Sequence, residues 1–197
     1  MNKKDLINKT YKKHLKILKN LSLPQKKLII CFSGIPGSGK SYISKILEKR
    51  YKGIRIRNDK DIRGIMKSLD KNADLDKDVD NYLMWFLSSY SFPNKLIILD
   101  SGIDRRYKKL FSFAEENNYK LFTIRLKASR KILEKRIFEK NNCRDPHFDN
   151  EIKRWTKEWK AFGKKIKADI IIDNEKNNKL NLKPLFKKLD KLIKSPN

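Results

Sequence analysis

The sequence predicts one three-layer α/β domain, a five-stranded parallel sheet flanked by helices, and three observations carry that prediction. Short apolar runs alternate with amphipathic segments along most of the chain, the pattern of strands joined by crossover helices. A length of 197 residues, 39% of them hydrophobic, is enough to bury one sizeable core. The first apolar run passes directly into a glycine-rich turn and then a helical pattern, the order of a strand-loop-helix unit.

Taken in order, Leu6, Ile7, Tyr11, His14, Leu15 and Leu18 recur at helical spacing, so residues 3–20 are expected to form an amphipathic helix that stops before Pro24. It is expected to pack on the domain through its apolar face, with His14 at the core edge and lysines in water. Residues 1–24 thus make an N-terminal helical unit and 25–197 the main domain. Strands are expected at Leu28–Phe32, Ile54–Arg57, Leu96–Leu99, Leu121–Leu126 and Asp169–Ile172. Helices are expected at Lys40–Arg50, Asp61–Leu69, Asp76–Tyr90, Arg105–Asn117, Ser129–Lys140, Asn150–Phe162 and Leu182–Ile193. The pair of helices at about 129–160 has the size of a helical lid.

Aspartates at 70, 74, 76, 78 and 80 lack the glycine and glutamate spacing of a calcium loop and are taken as a solvated helix start, where acids favour the positive helix end. The stripes Tyr82, Leu83, Trp85, Phe86 and Ile152, Trp155, Trp159, Phe162 are taken as core packing. His147, in the loop between the lid helices, has no companion for a metal site.

The formal net charge is +26, from 49 Lys plus Arg against 23 Asp plus Glu. Such an excess can mark a polyanion partner. Here lysine far outnumbers arginine and asparagine and isoleucine are abundant, as an AT-rich coding composition produces. The runs Leu28–Phe32 and Leu96–Leu99 fall well short of the roughly 18 residues of a membrane span, and the N-terminus has no apolar stretch of a secretory signal. A cytoplasmic protein without membrane insertion is therefore expected. Cys31 and Cys143 form no metal or disulfide spacing and are expected to be ordinary thiols.

After the first strand comes Gly34-Ile35-Pro36-Gly37-Ser38-Gly39-Lys40-Ser41, followed by Tyr42, a complete GxxxxGKS pattern in the context that gives it meaning. Its glycines let successive backbone N–H groups face one concavity, to which the next helix adds its positive end. Polyphosphate is the ligand this suits. Lys40 is placed to reach the β- and γ-phosphates, and the Ser41 hydroxyl to coordinate Mg²⁺, so the cofactors expected are ATP and Mg²⁺.

Ligands of open α/β sheets gather beyond the carboxyl ends of the strands. Asp59, Asp61 and Arg63 follow the second strand, and Asp100 ends the third, where it suits a magnesium-bound water or an acceptor hydroxyl. Arg136, Lys140 and Arg144 follow the fourth, each four residues apart, and basic groups on a lid can clamp a transferring phosphoryl group and exclude water.

Together GIPGSGKS, RNDKDIR, LIILDSGIDRR and SRKILEKRIFEK resemble the P-loop kinase family, in particular its polynucleotide 5′-hydroxyl kinase and zeta-toxin-like (AAA_33-type) branch, over about Leu28 to Asp173. The resemblance implies a P-loop NTPase fold of kinase type. It implies that Asp59 is the base or orienting acid, that Arg63 holds the acceptor, that Asp100 lies near acceptor or magnesium, and that Arg136 belongs to the lid. The usual D-x-x-R spacing is not kept, so either Asp59 or Asp61 can be the base. Lys140 stands for a second lid arginine, which can shift that role to Arg144. The implied activity is transfer of the γ-phosphoryl group of Mg-ATP to a hydroxyl, of a polynucleotide 5′ end or of a small molecule. Asp100-Ser101-Gly102-Ile103-Asp104-Arg105 matches only weakly the DG-x-P-R of monophosphate kinases. A P-loop NTPase acting as a switch without an acceptor is the alternative from another class, and the complete motif argues against a degenerate nucleotide site on a nucleic-acid-binding protein. The sequence sets no oligomeric state.

Overall fold

In a computed structural model that describes residues 2–18, 26–72, 74–89, 96–141, 148–175 and 180–194, five strands form one parallel sheet in the order β2-β3-β1-β4-β5. The strands are β1 (Leu28–Ser33), β2 (Ile54–Arg57), β3 (Leu96–Gly102), β4 (Lys120–Lys127) and β5 (Ile170–Asp173). The helices are α1 (Lys3–Leu18), α2 (Lys40–Tyr51), α3 (Gly64–Leu69), α4 (Leu75–Ser89), α5 (Tyr107–Glu116), α6 (Arg130–Asn141), α7 (Phe148–Ala161) and α8 (Lys183–Lys194). A short π-helix, Asn58–Arg63, precedes α3, and a 3₁₀ turn, Gly163–Lys165, follows α7.

Alternation along β1 builds two cores. Ile29 and Cys31 point to one sheet face and meet Ile62, Met66, Tyr82, Phe86, Ile103 and Leu110 from the π-helix, α3, α4 and the β3–α5 region. Leu28, Ile30 and Phe32 point to the other and meet Ile43 and Leu47 of α2 and Leu185 and Leu189 of α8. A fully buried side chain of this size contributes about 1.5–3 kcal/mol, so a strand lined on both faces is the most costly part of the sheet to open. Cys31 lies wholly inside, and burial pushes its thiol up to about 12. Cys143 lies outside the described residues.

α1 lies on the first core with Leu6, Thr10 and His14 buried. His14 is deeper than the edge position its spacing suggested. Its Nδ1 shares a 3.1 Å hydrogen bond with the Tyr82 hydroxyl, and burial lowers its pKa to about 4. The Tyr82 and Phe86 stripe packs inside, as expected. The acidic stretch is less solvated than expected, because Asp78 is buried at the start of α4.

One irregularity matters for function. Ile30 of β1 is opposite Ile98, yet Phe32 is opposite Gly102, so β3 carries surplus residues at its carboxyl end. There Leu99 and Asp100 pair instead with Ile56 and Arg57 of β2. The bulge therefore turns Asp100 toward β2 while β3 stays bonded to the central strand. Among the described residues no helix is long and apolar enough to cross a membrane.

Candidate active site

The turn 34–39 joins β1 to α2 at the carboxyl edge of the central strand. Gly37 and Gly39 adopt φ of 82° and 101°, where a side chain is strained. A Cβ on Gly37 would stand 3.0 Å from Ile137 Cγ1 of α6, and one on Gly39 would strike the amide of Asn174. Lys40 Nζ donates to the carbonyls of Gly34 (2.6 Å) and Ile35 (3.0 Å), which holds the ammonium across the loop. Ser41 and Tyr42 begin α2 in an exposed position.

Asn174, directly after β5, ties this loop down. Its Nδ2 donates to the Ser38 carbonyl at 2.8 Å. Arg136 of α6 donates through Nη2 to Asn174 O at 2.8 Å and Oδ1 at 3.2 Å, and through Nη1 to Gly37 O at 3.4 Å. Arg136 of α6 is thus aimed by carbonyl oxygens at the loop edge.

Asp100 is held by Arg55, whose Nη2 and Nε donate to Oδ2 at 2.6 and 3.1 Å. The same guanidinium reaches Glu48 Oε2 at 3.1 Å and Ser41 O at 3.3 Å, bridging α2 to β3. Asp100 Oδ1 is buried without a hydrogen-bond partner. Burying such an atom costs on the order of 1–3 kcal/mol unless something meets it, so it marks a place for a ligand.

A cleft of about 500 Å³ opens over these groups. One wall is the loop, with Lys40, Ser41, Tyr42 and Arg136. The second wall is formed by Asn58, Arg63, Arg105, Arg106, Arg154, Trp155, Glu158 and Trp159, and Asp104 joins it to the loop. Asp104 Oδ1 accepts from Ser33 Oγ at 2.7 Å and Oδ2 from the Gly34 N–H at 3.4 Å, fixing the β3–α5 turn to the loop. Arg105 donates to Glu158, which also lies 4.0 Å from Arg154, so α7 is bound to that turn.

The structure brings Lys40, Ser41, Tyr42, Arg63, Asp100 and Arg136 together around one cleft with the glycine loop. Asp61 is elsewhere: its buried carboxylate takes Arg57 Nη2 at 2.6 Å and Nε at 2.8 Å, and that bond raises the Arg57 pKa. Asp59 stands in the π-helix between Asn58 and Arg63, but its side chain, that of Lys140, and the whole of Arg144 and His147 lie outside the described ones. The stripe on α7 is corrected in part. Ile152 is buried, but Trp155 and Trp159 line the cleft and Phe162 is 49% exposed. Arg55, Asp104 and Asn174 were not singled out, because each acts through a partner far away in sequence. Only the position of Asp104 and Asn174 just beyond strand ends could have flagged them.

The donor set fits Mg-ATP. Positive-φ glycines make the phosphate cradle, and the orphan Asp100 Oδ1 and the exposed Ser41 are hard oxygen donors of the kind magnesium takes. Among the described residues no three His, Cys, Asp or Glu side chains gather as a metal site.

A family model described as an AAA domain, AAA_18, matches residues 30–156. It is not the AAA_33-type model that the short motifs resemble. No curated protein matches the chain. Among solved structures, shikimate kinase from Acinetobacter baumannii in complex with shikimate is similar at a TM-score of 0.58 and 14% identity, covering 89% of this chain and 96% of that one. The Mycobacterium tuberculosis APS kinase in complex with AMPPNP and APS gives 0.55 and 12%, covering 87% and 100%. A gluconokinase from Sinorhizobium meliloti gives 0.51 and 15%, covering 76% and 83%. At these identities the likeness is one of fold, the P-loop kinase fold.

Proposed function

The chain belongs to the AAA_18 family of AAA domains, and from that premise we propose that it is a Mg-ATP-dependent kinase that phosphorylates a hydroxyl of a small molecule. The observation that carries the proposal is one cleft of about 500 Å³ lined both by the glycine loop and by arginines and tryptophans from other segments. A volume of this order suits a small ligand. The similar structures with shikimate, or with AMPPNP and APS, support a nucleotide and a small acceptor held together.

In this reading residues 34–42 hold the triphosphate, and Lys40 and Arg136 meet the charge that shifts during transfer. Ser41 and Asp100 would hold magnesium, which would supply neutralisation of phosphate charge there. Arg63 holds the acceptor. Because Arg57 engages Asp61, Asp59 is the acid assigned to orient the acceptor hydroxyl and take its proton. An ordinary aspartate, with pKa near 4, is basic enough because the transition state is loose and the proton leaves late. Arg144 is the second lid cation of the proposal.

Transfer of label from γ-labelled ATP is measured across hydroxy acids, sugars, nucleosides, monophosphates, 5′-OH RNA and 5′-OH DNA. Label on a small acceptor, lost in Lys40→Ala and Asp59→Ala, is the expected result. Preferential labelling of 5′-OH RNA or DNA would replace the small acceptor by a polynucleotide end. ATP turnover equally fast with no acceptor would turn the reading into a switch-type NTPase.

A further inference from the structure

Asn174 belongs to none of the motifs, yet its side chain meets both the phosphate loop and Arg136. It is buried at the end of β5, its backbone N–H bound to Lys127 O at 2.8 Å, so its position is set by the sheet itself. From that fixed point it makes contacts in two directions. Toward the loop, Nδ2 donates to Ser38 O at 2.8 Å and the amide fills the space that a side chain on Gly39 would need. Toward the lid helix, its main-chain and side-chain oxygens both accept from Arg136 Nη2.

We propose that Asn174 is a positioning residue that couples the phosphate loop to the lid arginine. The inference rests on the reading of residues 34–41 as a nucleotide-phosphate loop. In a planar trans peptide the carbonyl and the following N–H point in opposite directions. Anchoring Ser38 O on Asn174 therefore fixes the Gly39 N–H away from Asn174, in one orientation before a phosphate arrives. The same amide can satisfy both neighbours only in one flip state, Nδ2 to the loop and Oδ1 to Arg136. Each contact thus sets the other. An isosteric carboxylate would keep the acceptor for Arg136 but bring an oxygen against the Ser38 carbonyl, whereas alanine loses both side-chain bonds.

Equilibrium binding of a fluorescent ATP analogue with magnesium, in the absence of any acceptor, tests this on wild type, Asn174→Ala, Asn174→Asp, Arg136→Ala and the Asn174→Ala/Arg136→Ala pair. Affinity falling about tenfold in both Asn174 variants, with the Asn174→Ala effect shrinking at least threefold when Arg136 is already alanine, is the expected result. Asn174→Asp has the native shape but adds a negative charge, so a loss it shares is assigned to the missing donor where it persists at high salt, which screens that charge. Affinities within twofold of wild type in Asn174→Asp, or strictly additive losses in the double variant, overturn the coupling. A wild-type chain that binds the analogue but phosphorylates nothing removes the kinase reading and leaves this inference standing, whereas failure of the wild type to bind overturns both.

Discussion

The two walls of the cleft are built from different material. The phosphate wall is a continuous backbone segment, residues 34–41, whose shape depends on glycines at positive φ and whose support comes from α2 and α8 on one sheet face. The second wall is made of side chains from three distant segments, Arg63 after β2, Arg105 and Arg106 after β3, and Arg154 to Trp159 on α7. Two of those segments flank Ile62 and Ile103 of the other core, to which α1, α4 and α5 contribute. Backbone donors recognise what all phosphates share, while side chains can change one at a time without moving the chain. The first wall is thus suited to a constant partner and the second to a particular one.

The largest expected effect tests the phosphate wall through its backbone. Gly39→Ala places a methyl group at a left-handed φ and against the Asn174 amide, so ATP-dependent transfer should fall by about 10³-fold or more, on the scale of lost oxyanion donors. If steady-state assays show a normal rate, the loop does not act through its backbone. Next is Arg55→Ala, which leaves a nearly buried Asp100 without its cation. Removing one member of such a pair costs about 3–5 kcal/mol, read as a lower midpoint in chemical denaturation. A loss below about 1 kcal/mol would mean that water from the cleft solvates Asp100 in place of Arg55.

Acid should separate the two foundations. His14 has a pKa lowered to about 4 by burial against an ordinary value of 6.5, so the unfolded chain binds the proton more readily between those values. Stability from neutral His14 is fully present above about pH 6.5 and is lost as pH falls toward 4. The slope is at most about 1.4 kcal/mol per pH unit, or about 2 kcal/mol between pH 7 and pH 5. Hydrogen exchange should show this loosening first in α1 and α4, and His14→Phe should flatten the pH dependence. Equal loosening of α2 and α8 would show that the two cores open as one. The smallest effect is Trp155→Ala, which should raise the acceptor KM about tenfold while the affinity for ATP stays within twofold. A change in ATP affinity of the same size would dissolve the distinction between the walls.

The strands and the phosphate loop were legible because each writes itself into consecutive residues. Leu28–Phe32 is apolar because both its faces are buried, and GxxxxGKS is spaced by the turn it must make. The second wall leaves no such trace. A stripe of Trp155 and Trp159 states only that one face of α7 is covered, and core or cleft covers it equally well. Asp61 was legible as an acid near the site but not as the partner of Arg57, since a six-residue π-helix is too short to impose a period of its own. Arg55, Asp104 and Asn174 act across 45, 71 and 136 residues of sequence, and only folding brings those pairs together.

Cys31 gives the central strand a chemical clock. Its thiol is sealed between the sheet and the first core and held protonated by burial, so an alkylating reagent can reach it only when β1 parts from its neighbours. With Cys143 replaced by serine, the chain holds one thiol. Its labelling rate then counts the openings of the strand that carries the phosphate loop, and any ligand that grips the loop will slow the count.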